Sequence, residues 1–222
     1  MTGRRSHFRV VATCAAAAVF ALAACVAVRA HMFLVAVRSD ELSLVRRMAH
    51  REPWLYWIRS VDGCTPTGEA AKSNARSVLH FLIESDCDVN AKSLFGVAPL
   101  HEAARRGYAE AGQMLLDAGA RVDIKGYNRG NTPLHIASAE GRENMVRLLI
   151  QRGASLDATD SCGTTPLMSA VQNDQIRVAV CLLSRGAQID SADKFGDTAL
   201  SIAKRLGHRE IAALLDASDG GE

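Results

Sequence analysis

Hydrophobic and polar residues follow two different patterns, one at the N-terminus and one in the rest of the chain. Residues from Val10 to Val28 form an uncharged, largely apolar run, and the basic segment before it contains Arg4, Arg5 and Arg9. As a helix this run would be about 28 Å long, close to the hydrocarbon thickness of about 30 Å in a bilayer. Basic residues followed by such a run are typical of a membrane or export signal. We therefore predict one apolar signal or anchor helix within residues 1–30.

The arginines before the apolar run predict the side of the membrane on which the rest of the chain lies. Basic residues at one end of a span tend to keep that end in the cytoplasm. If the run stays uncleaved, we expect the N-terminus to be cytoplasmic and the residues after 30 to lie across the membrane. The expected location is the cell envelope, either membrane-anchored or periplasmic.

The tetrapeptide Leu22-Ala23-Ala24-Cys25 resembles the lipobox of bacterial lipoproteins, in which a peptidase cuts just before a cysteine that carries diacylglycerol. The resemblance makes Cys25 the candidate lipidation site and implies an exported bacterial protein. Two alternatives stay open, namely an uncleaved signal anchor and ordinary cleavage after Ala23 or Ala30. All three place the C-terminal part of the chain on the same side of the membrane.

After residue 30 the hydrophobic and polar positions recur with a fixed period. The four clearest copies begin at Phe95, Arg129, Cys162 and Phe195. Their first glycines are Gly96, Gly130, Gly163 and Gly196, which lie 34, 33 and 33 residues apart. A period of this length is typical of a solenoid, in which one small unit is stacked on the next.

The repeated unit closely resembles the ankyrin repeat, which consists of a Gly-x-Thr-Pro-Leu-His turn, two short helices and a Gly-Ala pair. The match is carried by Thr132-Pro133-Leu134-His135 and by the recurring Leu-Leu-x-x-Gly-Ala, and weaker copies begin at Asp62 and Phe33. The resemblance implies an all-α ankyrin-repeat solenoid, preceded by the apolar signal or anchor helix.

The chain is accordingly divided into a signal or anchor (residues 1–30), a repeat domain (residues 31–218) and a short tail (residues 219–222). The six expected repeats are residues 31–60, 61–93, 94–127, 128–160, 161–193 and 194–218.

Particular residues predict where the first helix of each repeat begins and ends. Pro99, Pro133 and Pro166 suit the first turn of a helix, and a preceding Thr can cap it. The position that ends the first helix is occupied in successive repeats by Asp40, Asn74, Gly107, Gly141, Asp174 and Gly207. Because Asn and Asp tolerate positive φ best after Gly, we predict a left-handed backbone at all six positions.

Helices this short are marginal alone, so we expect the repeats to be stable only as a stack. The apolar residues that we expect to be buried between repeats include Leu100, Ala103, Ala104, Met114, Leu115 and Leu116. The resemblance assigns His101 and His135 a structural role, in which each imidazole bonds the backbone between adjacent turns. We predict no metal site at these histidines.

Composition and charge limit the classes of function. A net charge of +2 and a pI of about 8.3 are far from the basic balance of dedicated nucleic-acid binders, so we expect no nucleic-acid partner. The sequence contains no phosphate loop, Cys-x-x-Cys pair, His-Glu-x-x-His helix or Gly-x-Ser-x-Gly elbow. We expect a protein that is not an enzyme and that has no cofactor, metal or small-molecule substrate.

The cysteines outside the signal leave the question of disulfides open. Cys64, Cys87 and Cys162 fall in predicted turns, whereas Cys181 occupies a leucine position of a second helix and is expected in the core. An oxidising compartment would permit pairing, and free thiols are the alternative.

The resemblance implies that the function lies on the surface, because ankyrin arrays bind proteins through a groove between their finger tips and first helices. The residues carried over to this groove are Arg38, Lys72, Leu94, Phe95, Arg105, Arg106, Tyr127, Asn128, Arg129, Glu140, Lys194 and Phe195. The first half of this set is basic, so we expect a protein partner with an acidic surface. A secreted effector that engages host proteins and an unrecognised enzyme are the alternatives.

An aromatic segment, Pro53-Trp54-Leu55-Tyr56-Trp57-Ile58, lies where the finger of the first repeat is expected. Trp and Tyr favour the membrane interface, so Trp54, Tyr56 and Trp57 are candidate membrane contacts. The alternative is that these aromatic rings cap the open end of the repeat core.

Overall fold

The computed structural model describes residues 23–126 and 129–219, and within these residues it is helical with no strand. The helices are α1 (residues 23–38), α2 (Leu42–Arg51), a 3-10 helix (Pro53–Trp57), α3 (Pro66–Ser73), α4 (Arg76–Glu84), α5 (Pro99–Arg106), α6 (Ala109–Asp117), α7 (Pro133–Ala139), α8 (Glu143–Gln151), α9 (Pro166–Gln172), α10 (Ile176–Leu183), α11 (Ala199–Leu206) and α12 (Arg209–Asp219). The basic segment, the apolar run up to Leu22, Tyr127, Asn128 and residues 220–222 lie outside the described residues.

The helices form two layers that run along the stack. The first helices of successive pairs contact one another in the order α3, α5, α7, α9 and α11, and the second helices do so in the order α2, α4, α6, α8, α10 and α12. The expected all-α stack of helix pairs is therefore confirmed.

The first helices begin where the sequence predicts. Proline occupies the first turn of α3, α5, α7 and α9, where no backbone donor is lost. The hydroxyls of Thr65 and Thr165 accept hydrogen bonds from the backbone N–H of Gly68 at 3.2 Å and of Met168 at 3.3 Å. Helix α11 has no proline at this position, and Thr198 caps it by the same kind of bond.

The first helices also end as predicted, with a left-handed residue. The φ angles are 55° at Asp40, 56° at Asn74, 77° at Gly107, 65° at Gly141, 55° at Asp174 and 79° at Gly207. Aspartate and asparagine therefore take the place of glycine in three repeats without changing the backbone. The prediction made from these six positions is confirmed.

The core lies between the two layers and is shared by neighbouring pairs. Leu100, Leu134 and Leu167 of the first helices are buried, as are Leu115, Leu149 and Leu182 of the second helices. The prediction for α6 was partly wrong, because Met114 and Leu116 are only half-buried beside the buried Leu115. Neighbouring residues of a helix point about 100° apart, so only one of the three can face the first layer directly.

Helix α1 closes the N-terminal end of the core and continues beyond it. Phe33 and Val37 are fully buried, whereas residues 23–29 are exposed. The expected boundary between residues 30 and 31 thus falls inside one continuous helix. Cys25 lies about 12 Å from Phe33 along the axis of this helix, since each residue rises 1.5 Å.

In residues 23–126 and 129–219, no helix is both long enough and apolar enough to cross a membrane.

Substitutions at Asn74 test the role of the left-handed helix end. Asn74→Ala should lower the free energy of unfolding by about 1 kcal/mol, because alanine tolerates a positive φ poorly. Asn74→Gly should leave it unchanged within about 0.5 kcal/mol, because glycine adopts this conformation freely. Urea unfolding followed by circular dichroism measures both. Equal losses in the two variants would instead point to lost side-chain contacts of Asn74.

Candidate functional site

Successive helix pairs are connected by five protruding turns, which we call the finger turns: residues 60–64, 93–97, 126–131, 160–164 and 193–197. A backbone hydrogen bond closes each turn, such as that from the N–H of Ser93 to the carbonyl of Val97 at 2.9 Å. The turn that begins at Gly126 is closed by a hydrogen bond from the N–H of Gly126 to the carbonyl of Asn131 at 2.9 Å.

Neighbouring finger turns are also bonded to one another. Each bond runs from a backbone N–H to a backbone carbonyl. Leu94 donates to the carbonyl of Asp62 at 3.4 Å, Ser161 to that of Arg129 at 2.6 Å, and Lys194 to that of Cys162 at 2.8 Å. A Cβ atom on Gly63 would lie 2.7 Å from the nitrogen of Leu94, so glycine is needed for this approach. These bonds join three pairs of neighbouring turns and hold in place the backbone that carries the side chains at the tips.

The tips of this row carry large apolar side chains that are exposed. Leu94 is 74% exposed, Phe95 58% and Phe195 82%. Val61 is 98% exposed and was missed by the sequence analysis, although Ser60-Val61-Asp62-Gly63 occupies the same turn positions as Ser93-Leu94-Phe95-Gly96. Exposed apolar residues that share one edge are more informative about binding than exposed charges.

A groove lies between the finger turns and the C-terminal ends of the first helices. It contains a cavity of about 250 Å³ whose lining includes Arg105, Arg129, Ile136, Glu140, Asp160 and Gln172. The structure therefore brings together three of the predicted groove residues, Arg105, Arg129 and Glu140. Asp160 was not among the predicted groove residues, and its carboxylate also accepts a hydrogen bond from the N–H of Thr164 in its own turn at 2.9 Å.

The basic character expected for the first half of the groove is weaker than predicted. The guanidinium of Arg38 donates to the buried carboxylate of Glu69 at 2.8 Å, and the ammonium of Lys72 lies 3.6 Å from Asp62. Burial alone would raise the pKa of Glu69, but the hydrogen bond and charge of Arg38 and the charge of Lys72 lower it overall. These two cations are therefore compensated from within the protein.

The positive charge that remains available in the groove is concentrated further along the stack. Among the described residues, Arg105, Arg106, Arg129 and Lys194 form no ion pair. Arg105 and Arg106 end helix α5, where their charge also stabilises the C-terminal end of the helix dipole.

His101 and His135 have the predicted structural role. The Nδ1 atom of His101 accepts from the N–H of Ala98 at 3.1 Å, and its Nε2 lies 3.0 Å from the carbonyl of Asn131 in the next finger turn. His135 repeats this arrangement with Thr132 and with the carbonyl of Thr164 at 2.9 Å. Burial lowers the pKa of His101 to about 4 and lowers that of His135 as well, so both rings are neutral and their Nε2–H groups donate.

The part of the chain that is described holds no group of three or more His, Cys, Asp or Glu side chains arranged to bind a metal ion. Its cysteines are free thiols, namely Cys25, Cys64, Cys87, Cys162 and Cys181. Cys181 is buried as predicted, and burial raises the pKa of the Cys87 thiol to about 11.

The aromatic segment forms the 3-10 helix, and its exposed rings do not seal the core. Leu55 is the residue that is fully buried there, while Trp54 is 38% and Trp57 83% exposed. The ring of Tyr56 packs against Phe81, with 6.3 Å between centroids, and its hydroxyl donates to Ser85 at 3.4 Å. Of the aromatic rings expected to cap the core, Tyr56 packs against it beside the buried Leu55, whereas Trp54 and Trp57 remain exposed.

Comparison with known proteins finds sequence similarity in the part of the chain that forms the repeated helix pairs. A sequence model of a family described as "Ankyrin repeats (3 copies)" matches residues 67–160 and 154–220. The Ankyrin repeat and KH domain-containing protein 1 of Homo sapiens is 38% identical over 87 residues, which are 39% of this chain and 3% of that protein.

Two further relatives match similar lengths. Protein fem-1 homolog A-like of Mus musculus is 40% identical over 80 residues, covering 36% of this chain and 12% of the relative. The Ankyrin repeat and SOCS box protein 3 of Homo sapiens is 32% identical over 101 residues, covering 44% of this chain and 19% of the relative. The chain spans only a small part of each of these proteins, and the similarity is confined to that part.

The lowered pKa of His101 predicts a loss of stability in acid. The unfolded chain binds a proton at His101 near pH 6.5, whereas the folded chain does so only near pH 4. Stability therefore falls as the pH is lowered through this window, and His101 should contribute a loss of about 2 kcal/mol between pH 7 and pH 5.

Urea unfolding of the wild type and of His101→Gln at both pH values measures this contribution. Between pH 7 and pH 5, the free energy of unfolding should fall less in the variant than in the wild type. His80→Gln, which changes an exposed histidine of α4, is the matched control and should follow the wild type. Identical pH dependence in all three proteins would contradict the prediction.

Proposed function

Because the chain belongs to the ankyrin-repeat family, we propose that it is a non-enzymatic interaction module that binds another protein across its finger turns and groove. The observation that carries this proposal is the row of exposed apolar tips, in particular Leu94, Phe95 and Phe195. Bonds between neighbouring turns hold the backbone at these positions in place, so little backbone entropy is lost when a partner covers the tips.

The proposed contact has an apolar part and a charged part. Phe95 lies at the tip of the turn just before α5, and the cations of Arg105 and Arg106 end that helix. We expect the partner to present acidic groups to these two arginines and apolar groups to Phe95. Arg38 and Lys72 contribute less to the attraction, since Glu69 and Asp62 already compensate them.

We further propose that the N-terminal residues tether the protein to a membrane of the cell envelope. The support is the basic segment followed by the run from Val10 to Val28 and the continuation of helix α1 through residues 23–28. A helix that runs without a break from residue 23 into the repeats is what an uncleaved anchor needs. The lipobox-like Leu22-Ala23-Ala24-Cys25 keeps lipidation of the exposed Cys25 as the second candidate.

The orientation of the tether has to be measured separately. Arg4, Arg5 and Arg9 precede the apolar run, and this order supports a cytoplasmic N-terminus. However, Arg29 and further arginines follow the run closely, so the charge difference across it is small. A phosphatase fused to the C-terminus, which is active only in an oxidising compartment, reports which side the repeats occupy.

The groove hypothesis is tested with a photo-crosslinking amino acid placed at Phe95 or Phe195, with Val180 as the control site. Val180 is 46% exposed but lies on α10, away from the finger turns. Both groove sites should crosslink the same protein in cells, and Val180 should not. Crosslinks from Val180 alone would move the contact to the outer helix layer.

With the crosslinked partner purified, charge and apolar contacts should affect different rates. Arg105→Glu combined with Arg106→Glu should slow association about 10-fold at low salt, because charges chiefly set the encounter rate. Phe95→Ala should speed dissociation about 10-fold or more, because buried aromatic anchors dominate the residence time. Surface plasmon resonance measures both rates.

The matched control for charge is Arg177→Glu combined with Arg185→Glu, which reverses one exposed arginine in α10 and one in the turn that follows it. This variant should bind as the wild type does. Binding that withstands the changes at Arg105, Arg106 and Phe95, in variants with unchanged circular dichroism, would refute the groove as the contact surface.

Membrane tethering is tested by alkaline carbonate extraction of cells that express the full chain and its Cys25→Ala variant. An uncleaved anchor predicts that both stay in the membrane pellet at full length, because the apolar run is unchanged. Lipidation predicts that the wild type incorporates labelled palmitate and that the variant accumulates as a longer, unlabelled precursor. Recovery of both in the soluble fraction would refute the tether, and recovery in the culture medium would favour a secreted effector.

A further inference from the structure

Helices α1 and α2 run antiparallel, and between them lies an open cavity of about 450 Å³. Met32, Leu44 and Met48 line its floor, and Arg29, Arg47 and Arg51 line its rim. The three arginines are exposed, and Met32 is 51% exposed. The cavity thus combines an apolar floor with a basic rim, and neither the helix stack nor the proposed groove uses it.

The rim keeps a net positive charge. Glu52, the one acid that lines the cavity, forms an ion pair with Arg29. Among the described residues Arg47 and Arg51 have no acidic partner. Three arginines against one glutamate leave two positive charges around an apolar surface.

The cavity opens where α1 leaves the repeats. The contact of Arg29 with Glu52 places the C-terminal end of α2 level with Arg29. Residues 23–28, which are apolar and exposed, extend about 9 Å beyond that level. The sequence before them, from Val10 to Leu22, is also free of charge. A bilayer that holds this apolar segment therefore has its surface close to the arginines.

Tryptophan follows the arginines directly in the chain. The 3-10 helix begins at Pro53, two residues after Arg51, and exposes Trp54 and Trp57. Arginine binds lipid phosphates through its fork of N–H donors, and tryptophan favours the interfacial region of a bilayer. These are the two side-chain types expected where a protein rests on lipid headgroups.

We propose that Arg29, Arg47 and Arg51, with Trp54 and Trp57, form a docking surface for an anionic phospholipid bilayer. This proposal rests on the membrane tether proposed above and adds to it a specific contact between the first helix pair and lipid headgroups. Each basic residue near an anionic membrane surface adds to the attraction, so two net charges should shift the ratio of docked to undocked molecules about 30-fold.

The chain itself supplies the probe, because Trp54 and Trp57 are its only two tryptophans. The full chain is reconstituted into vesicles of phosphatidylcholine with or without phosphatidylglycerol, with part of the phosphatidylcholine brominated near the headgroup. Brominated lipid quenches tryptophan emission only at close range. We expect strong quenching in vesicles that contain phosphatidylglycerol and weaker quenching in phosphatidylcholine alone.

Arg47→Glu combined with Arg51→Glu should abolish the effect of phosphatidylglycerol, and Arg47→Gln combined with Arg51→Gln should reduce it. Arg177→Glu combined with Arg185→Glu is the matched control, because it changes the net charge by the same amount in and just after α10. Its tryptophan emission should be quenched to the same extent as that of the wild type. Circular dichroism of each variant verifies the fold, and the glutamine variant remains informative if the charge reversal unfolds the protein.

Flotation of the same vesicles separates the two proposals. A chain that fails to float with vesicles refutes the tether and the docking surface together. Two outcomes would refute the docking surface and leave the tether intact. The chain could float without any quenching of its tryptophans, or the quenching could be unaffected by phosphatidylglycerol and by the arginine variants.

Discussion

The structure depends on each helix pair burying its apolar side against the next pair. From α2 onward, the described α-helices are only seven to eleven residues long, and helices of this length are marginal in water. Leu100, Leu134 and Leu167 are fully buried only because a neighbouring repeat covers them. Polar bonds follow the same rule, since Asp40 caps the N–H of Val78 in the next pair at 2.8 Å. Stability is therefore a property of the stack rather than of the single repeat.

This stacking also explains why the surface charge differs from the sequence prediction. Arg38 and Lys72 occupy equivalent positions of the repeat pattern, but their ion-pair partners differ. Arg38 pairs with Glu69 of the next repeat, and Lys72 pairs with Asp62 in the finger turn. The carboxylate of Glu69 is fully buried, and one of its oxygens has no hydrogen-bond partner among the described residues. A buried carboxylate is costly without a cation, so Arg38 is held by Glu69 and is less available to a partner. Free positive charge remains at Arg105 and Arg106, which form no ion pair among the described residues.

Features that depend on one repeat could be predicted from local residue patterns, whereas the geometry of most contacts between repeats could not. The helix starts at proline and the left-handed ends at Asn74 and Asp174 follow from a local pattern and a fixed period. The bond of His101 to Asn131, 30 residues away, was implied by the resemblance to the ankyrin repeat. The pair of Arg38 and Glu69 joins residues 31 positions apart, and its geometry is set by packing. Likewise, hydrophobicity could not show that Leu55 is buried while Trp54 and Trp57 are exposed. Which side chain of the segment is buried is set by packing in the folded stack.

Helix α1 extends from the N-terminal end of the core beyond the first repeat. Its C-terminal half packs Phe33 and Val37 into the first repeat, and its N-terminal half projects from the stack as part of the same helix. A helix transmits orientation, whereas a Gly/Ser-rich linker would not. If residues before α1 are held in a membrane, the direction of α1 sets the tilt of the whole stack. The ion pair of Arg29 with Glu52 would then join α1 to the end of α2 where α1 leaves the repeats. The finger turns would then face one fixed direction, so a partner would have to approach from the side that the membrane leaves open. The same helix that seals the core would thus limit which proteins reach the groove.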